Sequence, residues 1–281
     1  MILAAATGIG GFAVGWLGQL GGDLFRHEDA ADAIRNGLGM DALRPIGIPQ
    51  RDDGRQGGTY VLPDPLPVNS SRTIEGPRAI GKDGDRKFLD WIQSVRGTDP
   101  LMTFVNLVVE NRYSQQVQLL NVRAEIVSRT DPLSGTMLAA WPQAGGGIPL
   151  LGLNLDLAKP VACEVDGDAL NQSSDPHDYV KKNAYFVYNK HHVEGQSIET
   201  FEVIAGTASH YCEFNILVDY LVGSKSQTAR VDAAGRPFRV TAVLRSPSGD
   251  SPYSKYKDLY VNDIDTDVFQ REDPQTYDPR R

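Results

Sequence analysis

The chain has 281 residues, of which 41% are apolar and 23% charged, with 28 glycines and 17 prolines. This composition excludes a chain that is disordered throughout or fibrous, and the length is sufficient to bury a substantial core. The formal net charge of −8 repels a phosphate backbone, so nucleic-acid binding is not predicted.

The first segment, residues 1–22, has no charged side chain between Ile2 and Leu20. About 20 apolar residues, each rising about 1.5 Å, just cross the hydrocarbon core of a bilayer. We therefore predict a transmembrane helix that anchors the chain in the membrane through residues 2–20. Small residues recur in it at four-residue spacing, and Gly11 and Gly15 would allow self-association in lipid.

Three other interpretations of this segment are weaker. A cleaved signal peptide normally begins with basic residues, and here only the α-amino group precedes the apolar run. The run Gly8-x-Gly10-x-x-Ala13 is similar to a dinucleotide fingerprint, but the chain that follows is polar and proline-rich, without a continuing βαβ unit. The third is a buried or amphipathic soluble helix. The positive-inside rule would place the following arginines in the cytoplasm, which argues against an outward-facing domain; they are Arg26, Arg35, Arg44, Arg51 and Arg55.

Residues 23–84 are predicted to separate this anchor from the folded domain. Leu24, Ala31, Ile34 and Leu38 fall near helical spacing, which indicates a short juxtamembrane helix. From residue 41 the chain is rich in proline and glycine, a composition typical of an extended stalk.

Residues 85–262 are predicted to form an all-β domain. Apolar and polar residues alternate over 120–126, 151–157 and 212–222, the period of half-buried strands. Further strands are predicted at 103–110, 185–188, 198–204 and 238–244, and turns at 131–135, 145–147 and 232–235. No segment long enough for a βαβ crossover helix separates them, so we predict an antiparallel, immunoglobulin-like β-sandwich of about seven to eight strands. Residues 87–95 could form a helical turn or a strand that presents Phe88, Trp91 and Ile92.

Residues 263–281 are predicted to be an acidic, mobile tail. Asp263, Asp265 and Asp267 have the first spacings of a calcium loop, but Val268 and Pro274 stand where such a loop needs Gly and Glu. No metal site or other cofactor is therefore predicted. The histidines do not add a metal site, because no two of them have a chelating spacing.

Two pairs or groups of residues are candidates for a special role. Cys163 and Cys212 are the only cysteines, and the sequence leaves open whether they form one disulfide or remain free. Tyr253, Tyr256 and Tyr260 could form an interaction surface, because exposed tyrosines are efficient contact residues. Their alternative is an edge strand with aromatic cross-strand pairs.

Several runs resemble those of a group of uncharacterised actinobacterial single-pass membrane proteins with one extracytoplasmic, immunoglobulin-like β-sandwich. The resemblance covers about residues 91–239, and its most distinctive part is Val-Asp-Ala-Ala-Gly-Arg-Pro-Phe-Arg at 231–239. The other runs are 107–111, 117–123, 132–136, 153–157, 201–203 and 211–214. The resemblance implies a module that faces outward from the cell membrane, and it implies no known activity. Relatives place a cysteine in the glycine-rich turn near 144–147, where this chain has none, so Cys163 would be the only partner for Cys212.

The resulting hypothesis is a membrane-anchored, extracytoplasmic binding or scaffolding module for an unknown protein or cell-wall partner, without catalysis. Residues 208–212 and 249–252 are only accidentally similar to protease motifs, since Pro252 replaces the glycine that shapes an oxyanion hole. One alternative is an extracytoplasmic enzyme with a carboxylate and histidine site in the insertion at 163–192. The other is a soluble intracellular interaction domain.

Overall fold

The computed structural model describes residues 42–49, 58–67, 72–81, 83–140, 150–246 and 250–279. Most of their regular structure is β-strand, so the all-β class is confirmed. Numbered along the chain, the strands are β1 (Leu43–Pro49), β2 (Tyr60–Leu62), β3 (Thr73–Glu75), β4 (Asp99–Pro100), β5 (Met102–Asn111), β6 (Val117–Thr130), β7 (Thr136–Ala139), β8 (Leu151–Asn154), β9 (Cys163–Val165), β10 (Val180–Ala184), β11 (His191–Val193), β12 (Ile198–Gly206), β13 (Tyr211–Val222), β14 (Lys225–Val231), β15 (Phe238–Thr241), β16 (Asp258–Asp263) and β17 (Val268–Glu272). The helices are α1 (Pro77–Ile80), α2 (Gly84–Ser94), α3 (Gly167–Gln172), α4 (Pro176–Tyr179) and α5 (Tyr185–Tyr188).

Two mixed sheets form a β-sandwich. The first has the order β1-β5-β12-β8-β9-β10, and the second has the order β11-β6-β13-β15-β4, with β14 also paired to β13. Most pairs are antiparallel, whereas β12–β8 and β15–β4 are parallel. The sequence predicts antiparallel pairing throughout, and short parallel pairs of this kind have no local signature.

The sandwich core lies between the two sheets. Alternate residues of β5, among them Leu107, are fully buried and belong to the same cluster as Phe214 and Ile216 of β13. Each large apolar side chain removed from water in this way stabilises the fold by about 1.5–3 kcal/mol. This alternation is the pattern that predicts strands in the sequence.

A third sheet, with the order β2-β7-β16-β17-β3, combines strands from both ends of the described chain. Helix α2 packs on one of its faces, where Phe88 and Ile92 join Tyr260 and Phe269 in a second core cluster. Residues from the other face, including Leu259, form a third cluster. Strands β2, β7 and β16 are therefore largely buried on both sides, whereas β17 and β3 are mostly exposed.

The predicted stalk and tail differ from the structure. In the described part of residues 23–84, β1 pairs with β5 over its whole length, and β2 and β3 belong to the third sheet. In the tail, β17 pairs with both β16 and β3. The proline-rich β1 is tolerated because Pro45 and Pro49 lie four residues apart, so that both ring nitrogens face the free edge of the strand.

Two further predictions differ in detail. Residues 185–188 form the helical turn α5 and not a strand, since a short apolar run does not by itself distinguish the two. The described residues contain more than the seven to eight strands predicted, mainly because the third sheet was missed. Residues 87–95 fall on α2 and its C-terminal end, with Phe88 and Ile92 buried.

The predicted anchor at 2–20, with Gly11 and Gly15, and the juxtamembrane helix lie outside the described residues. Among the described residues, none of the helices has the length and apolar character that crossing a membrane requires.

Candidate functional site

An open groove lies where β1, helix α2 and the loop between β14 and β15 meet. Its volume is about 320 Å³, at the lower end of the range typical of ligand sites. It is lined by Gly47, Ile48, Pro49, Leu89, Gln93, Ala233, Ala234, Arg236, Pro237 and Arg239. The lining thus combines apolar surface with two arginines and contains no carboxylate.

The loop that forms one wall of the groove is a tight two-residue turn. Ala233 and Arg236 exchange two backbone hydrogen bonds, with N···O distances of 2.7 and 3.3 Å. Between them, Ala234 and Gly235 have φ values of 54° and 83°, the conformation of a type I′ hairpin turn. The carboxylate of Asp232 accepts a hydrogen bond of 2.7 Å from the Gly235 amide. The turn predicted at 232–235 is confirmed, and it holds Arg236 on a rigid support.

The opposite wall depends on a close approach of β1 to β14 and β15. A Cβ atom at Gly47 would lie 2.6 Å from Cζ of Phe238 and 2.8 Å from Cγ1 of Val231. These two residues flank the loop and belong to the sandwich core. Glycine at 47 therefore allows β1 to lie directly on the aromatic ring beneath the groove.

Helix α2 supplies the third wall through two side chains, of which Leu89 also packs against the second core cluster. Leu89 and Gln93 are four residues apart and lie on one face of the helix. Arg86 lies one turn before Leu89 on the same face, whereas Arg96, with a φ of 58°, follows the end of the helix. Arg96 forms an ion pair of 3.6 Å with Glu213.

A second polar cluster surrounds Asp156, at the other side of the first sheet. The side chain of Asp156 is only 6% exposed. It accepts hydrogen bonds from the Thr207 hydroxyl at 2.7 Å, the Ala208 amide at 2.8 Å and Nδ1 of His210 at 3.0 Å. Nε2 of His177 lies 3.9 Å from the second carboxylate oxygen. The cluster connects the end of β8, the β12–β13 turn and helix α4.

The electrostatics of this cluster favour an ionised aspartate. Burial raises the pKa of Asp156, but the hydrogen bonds from Ala208, Thr207 and His210 together outweigh it and lower the pKa below its usual value. His210 faces Asp156 through Nδ1. Nε2 of His210 has no hydrogen-bond partner in the described part of the chain.

Among the described residues, the Asp156 cluster has defined surroundings. No hydroxyl or thiol contacts Nε2 of His210 among the described residues, and none of the cluster residues lines the groove. The insertion at 163–192 contributes only His177 to it. Within the described ranges, no three His, Cys, Asp or Glu side chains are grouped so that they could hold a metal ion.

The two cysteines are free and buried in separate core clusters. Cys163 packs with Tyr179 and Ile204 at the outer side of the first sheet, whereas Cys212 belongs to the sandwich core. Burial raises the pKa of both thiols. Both groups are therefore poorly reactive as nucleophiles.

The three tyrosines predicted as an interaction surface lie mostly inside the protein. Tyr256 is 2% exposed and Tyr260 is fully buried, in the two clusters on either side of the third sheet. Tyr253 is partly buried beside Tyr277, with 5.9 Å between ring centroids. Tyr260 packs as a core residue because β16 is a central strand of its sheet and not an edge. Tyr256 precedes β16, and its hydroxyl accepts a hydrogen bond of 3.1 Å from the Leu244 amide.

Sequence reasoning missed the groove, because its walls come from three segments far apart in the chain. The only local signal is the run at 231–239, which the sequence singles out for its resemblance and which contains Arg236 and Arg239. No protein-family model matches the chain, and no curated protein is significantly similar to it. The function must therefore be argued from the chain's own geometry.

Proposed function

We propose that the chain is a membrane-anchored, extracytoplasmic binding or scaffolding module, which meets a protein or cell-wall partner at the groove. The observation that carries this proposal is the groove itself, in which two arginines stand over an apolar lining. No catalytic step is part of the proposal.

The charge of the groove supports a binding role. The whole chain has a net charge of −8, yet the charged side chains in the groove lining, Arg236 and Arg239, are both positive. Arg236 is exposed and forms no ion pair or side-chain hydrogen bond among the described residues. A guanidinium on a rigid turn can bind a carboxylate or phosphate in two hydrogen bonds, with little loss of entropy.

The location and the finer class of the fold are part of the same proposal. The uncharged run at 2–20 supports a membrane anchor, and the resemblance to outward-facing actinobacterial proteins supports its orientation. Two facing sheets with mostly antiparallel pairs support an immunoglobulin-like relationship. The short parallel pairs and the third sheet would be additions to that plan.

The test uses the variant Gln93→Cys, which places one exposed thiol in the groove. The native thiols are buried, so the new one would be labelled selectively by a membrane-impermeant maleimide on intact cells. Gln172→Cys, exposed on α3 near the opposite edge of the first sheet, is the matched control. We expect both variants to be labelled without lysis.

The same two thiols then test the groove with an impermeant thiol-to-amine cross-linker. We expect a discrete adduct from position 93 and none from position 172. Labelling only after lysis would contradict the extracytoplasmic location. Labelling without an adduct at 93, or with equal adducts at both positions, would contradict the groove as the binding surface.

A further inference from the structure

A second exposed surface lies at the opposite edge of the first sheet, on α5 and the strands around it. Val187 and Tyr188 are each 72% exposed, a large fraction for apolar and aromatic side chains. They are held outward because the preceding pair, Tyr185 and Phe186, packs on the sandwich core. The outward position is thus fixed by the fold.

The segment that carries these two side chains has lysines but no carboxylates of its own, although Glu164 of β9 and Glu199 of β12 pair with Lys181 and His191. From residue 179 to residue 193 the chain contains three lysines and no Asp or Glu. Lys182 and Lys190 are exposed and have no ion-pair partner among the described residues, whereas Lys181 pairs with Glu164 at 3.5 Å. On a chain with a net charge of −8, this segment is a local cationic surface.

We propose that this surface, Val187 and Tyr188 with Lys182 and Lys190, docks the domain on anionic phospholipid. Tyrosine is favoured at the membrane interface, and lysine places its charge at the headgroups while its methylenes cover apolar surface. Two projecting side chains are too few for the area of a stable protein interface. A lipid surface, in contrast, rewards a small apolar contact combined with cations.

This inference is independent of the groove and of residues 2–20. Should those residues span the bilayer, the anchor would raise the effective concentration of lipid at this surface, so that even a weak contact would be occupied. Without an anchor, the same surface would give weak, reversible binding.

The experiment follows an environment-sensitive fluorophore on Asn183→Cys in the full chain, titrated with vesicles. Asn183 is exposed on β10, next to Lys182, and is not one of the four proposed contact residues. The vesicles are phosphatidylcholine alone or with phosphatidylglycerol. We expect a blue shift and protection from acrylamide only with phosphatidylglycerol. The same label on Thr266→Cys, exposed in the turn between β16 and β17 and outside both proposed surfaces, should not change.

Two variants in the labelled background decide the result. Each lysine near an anionic surface contributes a factor of about five in partitioning, so Lys182→Glu with Lys190→Glu should lower vesicle affinity at least about 25-fold. Val187→Asp should also weaken binding, and all three side chains are exposed, so the thermal midpoint should stay unchanged. Equal response to both vesicle types, or binding that the lysine variants leave intact, would overturn the proposal. A blue shift of the label with a single-stranded oligonucleotide, but not with vesicles, would also overturn it, because the surface would then bind nucleic acid and not lipid.

Discussion

Gly47 is the residue at which the smallest change should disturb the groove. An added methyl group would lie within 3 Å of both Phe238 and Val231, and these side chains are held in the core. We expect Gly47→Ala to destabilise the protein by about 1–3 kcal/mol, as overpacking does. The neighbouring exposed variant Ile48→Ala should change stability by at most about 0.5 kcal/mol. Urea unfolding of both proteins measures this difference, and equal effects would contradict the close approach.

Asp156 should give the stability of the protein a distinct dependence on pH. Its folded pKa is lowered from the usual 3.8, so its contribution is present above that value and is lost as the pH falls through the folded pKa. Asp156→Asn should be less stable than the parent by about 2 kcal/mol at neutral pH, since a hydrogen-bonded charge is removed. The difference should shrink below about pH 4. Unfolding curves from pH 7 to pH 3 test this, and a constant difference would be inconsistent with an ionised Asp156 in the native state.

At the scale of the element, the β14–β15 turn should tolerate glycine and alanine differently at its two central positions. Gly235→Ala places a Cβ on a residue with φ of 83° and should cost about 1 kcal/mol. Ala234→Gly removes the steric strain of a side chain at a φ of 54° but increases the conformational entropy of the unfolded chain. The free energy of unfolding should therefore change by at most about 0.5 kcal/mol. Thermal unfolding of the pair measures the contrast. A larger loss for Ala234→Gly would show that the turn is not of type I′.

The long strands could be predicted from the sequence, whereas the third sheet could not. In β5 and β13, one face packs on the core and the other is less buried, so apolar and polar residues alternate. All residues of β2 and β7 are buried, which removes the alternation and leaves short apolar runs without a period. The prolines of β1 are typical of a stalk, and they are also compatible with an edge strand because an edge leaves some backbone N–H groups without a partner strand. The composition alone therefore cannot distinguish the two. The lysines around α5 are visible in the sequence as a local positive charge. The exposure of Val187 and Tyr188 beside them is not, because it follows from the packing of Tyr185 and Phe186 on the core.

At the scale of the whole molecule, the third sheet and the sandwich share backbone contacts and should unfold together. The Val61 amide donates to the Thr98 carbonyl at 2.9 Å, and the Thr98 amide donates back at 3.0 Å. Thr98 immediately precedes β4, which pairs with β15 in the second sheet of the sandwich. The third sheet is thus joined to the sandwich through the chain and through paired strands.

Phe269 in β17 tests this coupling, because it is buried against the ring of Phe88, with 5.8 Å between centroids and an interplanar angle of 8°. We expect Phe269→Ala to cost about 3–5 kcal/mol, whereas Val268→Ala, at a partly buried position, should cost less. If the domain is one cooperative unit, two probes should give one shared, lowered midpoint: the fluorescence of Trp91 beside the third sheet, measured with Trp16 and Trp141 replaced by phenylalanine, and the far-ultraviolet circular dichroism of all strands. Two separate midpoints would mean that the third sheet unfolds on its own, and an unchanged midpoint would mean that residues 263–281 are the mobile tail that their composition predicts.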